Sequence, residues 1–162
     1  MIPSLSLATF GASAIALTSC SSKDIDPDID PDKDSPYMVV YAKEKTNIQL
    51  NNVGDNNPNL SYSYDGLNWE VYNKPFSLIP GTKLYLKGDN MNGFSHTYSQ
   101  YSHFEFSGNV SISGSIMALL DNGKATIDTI PNSYCFSRLF ERCSNIISVS
   151  KDFLKFATTL AG

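Results

Sequence analysis

Tyr134-Cys135-Phe136-Ser137-Arg138-Leu139-Phe140-Glu141-Arg142-Cys143-Ser144-Asn145-Ile146-Ile147 carries the pattern on which the fold reading turns. Cys135, Phe136, Leu139, Phe140 and Cys143 fall at i, i+1, i+4, i+5 and i+8, the buried stripe of a helix of about two to three turns. Asn132 or Ser133, just after Pro131, supplies an N-cap. Ser144-Asn145 stops the helix, and Ile146-Ile147-Ser148-Val149-Ser150 reads as a short strand. Eight residues of helix rise about 12 Å, whereas a disulfide needs Cα atoms within about 7 Å. In a helix, Cys135 and Cys143 therefore do not bond each other and read as core thiols, small buried hydrophobes. Neither His96 nor His103 stands at ligand spacing to them, so no metal is expected.

Upstream, Phe104 to Gly114 alternates cleanly and reads as strand, followed by a short serine-capped helix, Ser115 to Leu120, that Asp121-Asn122-Gly123 ends. One helix stripe and a four-residue strand cannot close a core. They need a neighbour on each side, which is the logic of a solenoid. Thr129-Ile130-Pro131-Asn132 finds a weak echo thirty positions later in Thr159-Leu160-Ala161-Gly162, slightly long for leucine-rich repeats of about 20–29 residues.

Residues 37–92 read as a small antiparallel β module. Met38-Val39-Val40-Tyr41-Ala42 and Ile48-Gln49-Leu50 are strand runs, and the turn formers of Asn51 to Asn59 make a loop. Leu60-Ser61-Tyr62-Ser63-Tyr64 and Trp69-Glu70-Val71-Tyr72 alternate with period two around Asp65-Gly66, a hairpin signal. Phe76 to Ile79, a Pro80-Gly81 turn, and Lys83 to Gly88 add two strands, and Lys83 and Lys87 on the face of Tyr85 mark the second as an edge or solvent-facing strand. Ser63-Tyr64-Asp65-Gly66-Leu67-Asn68-Trp69 resembles the Asp-box hairpin of sialidase-type propellers, one residue shorter. That resemblance implies a folding device in which Asp65 orders the turn and Trp69 packs. Tyr62, Tyr64, Trp69 and Tyr72 are the candidate ligand-stacking residues for a sugar, although alternation sends half of them to the core.

The N-terminus carries a different signal. The uncharged apolar run Leu5 to Leu17 is too short for a membrane span of about 20 residues and fits a signal h-region. Leu17-Thr18-Ser19-Cys20 closes it. The stretch resembles a bacterial lipoprotein signal, which implies a signal peptide over 1–19 and Cys20 as the lipid-bearing N-terminus. Met1 to Ser4 contains no Lys or Arg, which points to a true start upstream. Residues 20–36 form an acidic Asp/Pro tether, in which proline denies helix and the carboxylates repel one another. Asp-x-Asp spacing without the turn glycine and closing Glu is not an EF-type calcium loop. The run Lys23 to Asp34 holds six Asp and two Lys, which is the whole −4 of the chain, leaving ten acids against ten bases elsewhere. That balance offers no basic surface and excludes nucleic acid as a partner. A lysine followed by acids just after the lipidated cysteine resembles the surface-export signal of Bacteroidetes lipoproteins, implying an outer-membrane, lipid-anchored protein facing the cell exterior.

Tyr134 to Ile147, followed by Ala157-Thr158-Thr159-Leu160-Ala161, resembles the leucine-rich repeats of BspA-like surface proteins of Bacteroidetes. These repeat Cys-aromatic, Leu or Met-Phe, Cys, a short strand and Ala-Thr-Thr-Leu-Ala. The resemblance covers about residues 37–162. It implies an α+β chain: the β module, then an N-terminal cap and first repeat of a leucine-rich-repeat solenoid over 93–162, strand plus short helix per repeat. The next repeat's cysteine falls just past Gly162, so on this resemblance the array is either truncated or left without its usual C-terminal cap. The implied function is non-enzymatic binding or adhesion, with a host protein or glycan as ligand and the membrane reached through the lipid. The alternative is a carbohydrate-binding accessory lipoprotein using the aromatic β module. The chain shows no nucleophile elbow, zinc motif or phosphate loop, and no pair of glutamates forms a glycosidase dyad. No catalytic residue and no cofactor is expected.

Overall fold

A computed structural model describes residues 32–154 of the 162-residue chain. The signal peptide over 1–19, Cys20, most of the acidic tether and Ala157 to Ala161 lie outside the described residues. The described chain runs β1 (Met38–Ala42), β2 (Thr46–Val53), β3 (Ser61–Ser63), β4 (Glu70–Val71), β5 (Phe76–Leu78), β6 (Lys83–Lys87), β7 (Tyr101–Phe106), β8 (Val110–Gly114), α1 (Ala118–Asp121) and β9 (Ile146–Val149). The strands form a six-stranded sheet in the order β4-β3-β6-β1-β8-β9 and a three-stranded sheet in the order β5-β2-β7. All pairs are antiparallel except β8 with β9, which is parallel.

Period-two alternation explains the layering. Met38, Val40, Leu84, Leu86 and Ile112 from the larger sheet and Ile48, Leu78, Phe104 and Phe106 from the smaller meet in one buried cluster. Burying each such side chain favours folding by about 1.5–3 kcal/mol. Phe104 sits at its centre, fully buried and with ring centroids 6.2 Å from Phe94, 6.0 Å from Phe106 and 6.2 Å from Phe140. Ile116, Met117, Leu119 and Leu120, in and around α1, extend this cluster.

The run Phe104 to Gly114 is two strands, not one. β7 belongs to the small sheet and β8 to the large one, and the chain changes sheet at Ser107-Gly108-Asn109. A Cβ on Gly108 would collide with the Lys45 carbonyl oxygen. The Gly108 N–H donates to Thr46 Oγ1 at 3.0 Å, and the Asn109 carbonyl accepts from Lys43 and Glu44. The β1-to-β2 crossing at 43–45 thus packs against the β7-to-β8 crossing. β2 also continues through Asn51, Asn52 and Val53, expected as loop, because β7 pairs there with His103, Ser102 and Tyr101. β6 is not an edge; it lies between β3 and β1, with Lys83, Tyr85 and Lys87 on its outer face. Strands on either side of residue 92 share both sheets: β7 pairs with β2, and β8 with β1.

The solenoid expectation is overturned. The described residues are two sheets with one four-residue helix, not an α+β array of strand-plus-helix repeats. Residues 132–145 are a succession of turns closed by i→i+3 bonds, such as Ser137 N to Tyr134 O, Glu141 N to Arg138 O and Cys143 N to Phe140 O. Arg138 (φ 58°) and Arg142 (φ 61°) are left-handed, which breaks any helix once per turn. A four-residue turn period still sends Cys135, Leu139 and Cys143 inward, so the i, i+4, i+8 spacing survives without a helix. The physical reason is edge pairing. The Cys135 carbonyl accepts from Ser95 N–H and the Leu139 carbonyl from Phe104 N–H, while Asn145 Nδ2 donates to the Phe106 carbonyl. The turns strap the free edge of β7, satisfying strand groups that a helix, with its carbonyls engaged internally, would leave orphaned.

Candidate functional site

The Asp65 turn is built as its residues suggest. β3 and β4 form a hairpin, Ser61 opposite Val71 and Tyr62 opposite Glu70. Asp65 Oδ1 accepts from the backbone of Leu67 and Asn68, both at 2.8 Å, and Asp65 Oδ2 from Asn68 Nδ2 at 2.7 Å. Ser63 Oγ donates to the same carboxylate at 2.8 Å and accepts from Gly66 N–H. These donors, led by the two backbone amides, hold the Asp65 carboxyl well below the usual carboxylate range.

The four stacking candidates do not share one face. Trp69 lies against Tyr37 with ring centroids 4.7 Å apart, and Lys87 Nζ stands 4.1 Å from the Trp69 ring centre. Tyr85 joins this cluster 6.4 Å from Tyr37 and packs under Gly66. Trp69 thus fastens the turn to the outer face of the large sheet. Tyr62 instead stacks on Phe76 at 4.6 Å and meets Tyr64 edge-on at 5.9 Å. Its hydroxyl donates to Glu70 Oε2 at 2.6 Å, and that carboxylate pushes the Tyr62 phenol up to about 12. Tyr72 is 6.0 Å from Phe76, and its hydroxyl accepts from Leu50 N–H at 2.9 Å, tying the hairpin to β2. Of the four, Tyr64 alone is exposed.

Cys135 is buried and Cys143 half-buried, and both are free thiols. Burial pushes both up to about 11, and Cys143 Sγ donates to the Phe104 carbonyl at 3.0 Å. Neither is set up as a nucleophile. Among the described residues no three His, Cys, Asp or Glu side chains gather as a metal site.

A concavity lies elsewhere, where the turn segment meets β9. A cavity of about 590 Å³ opens there, lined by Ile116, Ile130, Cys135, Leu139, Val149 and Leu154 among others. That is the size range of a ligand pocket. Val149 is 51% exposed and Leu154 46%, and the neighbouring Ile147 on β9 is 56% exposed, so apolar surface continues from the cavity onto the strand. β9 ends the large sheet, and among the described residues no strand pairs with its outer edge. Charge at the rim is internally balanced, with Arg138 Nη1 3.4 Å from Glu141 Oε1.

Comparison with family models, curated proteins and solved structures gives no match. The reading of this site therefore rests on its own geometry. Sequence reasoning missed the cavity because its lining comes from three separated stretches, around 116, 130–141 and 149–154. The one local signal was the short apolar run Ile146-Ile147-Ser148-Val149, in which Ile147 and Val149 are both exposed.

Proposed function

We propose that this chain is a non-enzymatic binding module, displayed on the outer cell surface by a lipid on Cys20 and engaging a protein ligand of the host or a neighbouring cell. The observation that carries the reading is the apolar cavity of about 590 Å³, continuous with the exposed apolar side chains of β9, whose outer edge pairs with no other strand among the described residues. A groove beside a strand edge that no other described strand covers supports recognition of an extended segment: main-chain bonds give affinity and the cavity takes a side chain.

Two measurements test this. Labelled palmitate is expected to enter the protein in the native bacterium and to be lost in Cys20→Ala; unchanged labelling refutes the anchor. Purified chain is expected to bind at least one of a panel of immobilised host-matrix proteins, and Val149→Asp, which places a carboxylate on the cavity wall, is expected to abolish that binding. Binding that is unaffected by Val149→Asp removes the cavity from the function.

A further inference from the structure

The outer face of the small sheet holds a second surface, which meets the apolar cavity only at the Arg138–Glu141 pair on the cavity rim. Gln49 and Asn51 on β2 stand opposite Glu105 and His103 on β7. Gln49 Nε2 donates to Asn51 Oδ1, Asn51 Nδ2 donates to Glu105 Oε2 at 3.0 Å, and the same amide lies 3.5 Å from His103 Nε2. The side chains form a linked ladder of amide, carboxylate and imidazole across two strands. At one end, Tyr101 stands 5.9 Å from His103. Beyond it, Tyr98 projects from the loop before β7, 65% exposed.

Tyr98 is held in place. The Arg138 guanidinium lies 4.1 Å from the Tyr98 ring centre and 5.0 Å from that of Tyr101. Arg138 Nη1 donates to the Tyr101 hydroxyl at 3.2 Å and pairs with Glu141. The cation covers one face of Tyr98, and the exposure leaves the ring accessible from the other side. An exposed aromatic ring fixed by a cation costs little ordering on binding.

We infer that this face binds a neutral glycan. Side-chain amides and a carboxylate present the paired donors and acceptors that vicinal hydroxyls match, and the C–H face of a pyranose stacks on an aromatic ring. Arg138 is already balanced by Glu141, which disfavours an anionic ligand. An extended peptide has no strand edge to join beside Tyr98 and Tyr101, because the outer edge of β7 is taken by the Leu139 carbonyl and the side chains of Cys143 and Asn145. The surface is the face of the sheet, not its edge, and a chain of hydroxylated rings fits a flat polar face.

Native affinity electrophoresis of the full chain in gels containing xylan, mixed-linkage β-glucan, galactomannan or dextran, with a printed array of neutral host glycans, tests the assignment. The chain is expected to be retarded by, or to bind, at least one of these. Tyr98→Ala and Gln49→Ala are each expected to weaken that binding by about tenfold while Tyr98→Phe retains it. Both positions are exposed, so thermal unfolding reports directly whether the variants stay folded. Absence of binding to every glycan overturns the inference, as does binding that survives both alanine variants or is lost in Trp69→Ala alone. Val149→Asp is expected to leave glycan binding intact, which separates this site from the apolar cavity.

Discussion

Replacing Arg142 by glycine distinguishes a chain of turns from a helix by the sign of its effect. Arg142 has φ 61° and an exposed side chain. A left-handed conformation costs a non-glycine residue roughly 1–2 kcal/mol, and glycine removes that cost. Glycine also loses more freedom on folding, about 0.5–1 kcal/mol relative to alanine. The net is a gain of about 0.5 kcal/mol. In a helix interior the same replacement would lose about 0.8–1 kcal/mol. With a urea m-value of about 2 kcal/mol/M for a domain of this size, the turn geometry raises the unfolding midpoint by about 0.25 M and a helix lowers it by about 0.4 M. Urea titration followed by tryptophan fluorescence resolves that difference, since Trp69 packs on Tyr37. A midpoint that falls by 0.3 M or more refutes the turn assignment. Arg138→Gly serves as the contrast. It relieves the same backbone strain but deletes the contacts to Tyr98, Tyr101 and Glu141, so its midpoint is expected below that of Arg142→Gly.

Three further outcomes are expected. The Asp65 carboxyl carbon, followed by NMR, should titrate well below the unfolded value of about 3.9. Because the folded pKa is depressed, its contribution to stability is present above that value and lost as pH falls through the folded pKa; a midpoint near 3.9 contradicts the turn network. Phe104→Ala should cost about 3–5 kcal/mol in chemical unfolding, and Phe104→Leu about 1–1.5 kcal/mol, because Phe104 is fully buried among three rings; an alanine loss under 1 kcal/mol contradicts the packing. In a Cys20→Ala background at pH 8, Cys135 should react with a disulfide reagent only after denaturation, since burial keeps it a protonated thiol. Prompt native labelling of Cys135 would show that the cavity wall opens.

What the sequence made legible was local. The Asp65-Gly66 hairpin and the alternation of Lys83 to Lys87 were read correctly because turn chemistry and a period of two need no distant partner. Two features misled for a physical reason. Phe104 to Gly114 alternates without interruption, yet the chain leaves one sheet at Ser107 and enters the other at Val110. Side-chain parity is preserved across the corner, so periodicity alone cannot register the change. Cys135, Leu139 and Cys143 satisfy both a helix and a string of four-residue turns. The choice was made by the edge of β7, whose unpaired groups lie some forty residues away in sequence. The four candidate stacking residues, half of which alternation sends to the core, take partners that local alternation does not show: Trp69 found Tyr37 and Tyr62 found Phe76, both outside the hairpin.

The two crossings at 43–45 and 107–109 have a kinetic consequence. Thr46 and Gly108 are 62 positions apart, and the β2–β7 and β1–β8 alignments both need that distance closed. Chains dominated by such distant pairings assemble in milliseconds to seconds rather than microseconds. A polypeptide with this corner must be kept from association while it searches, and the doorway that joins the sheets becomes the slow step of its birth.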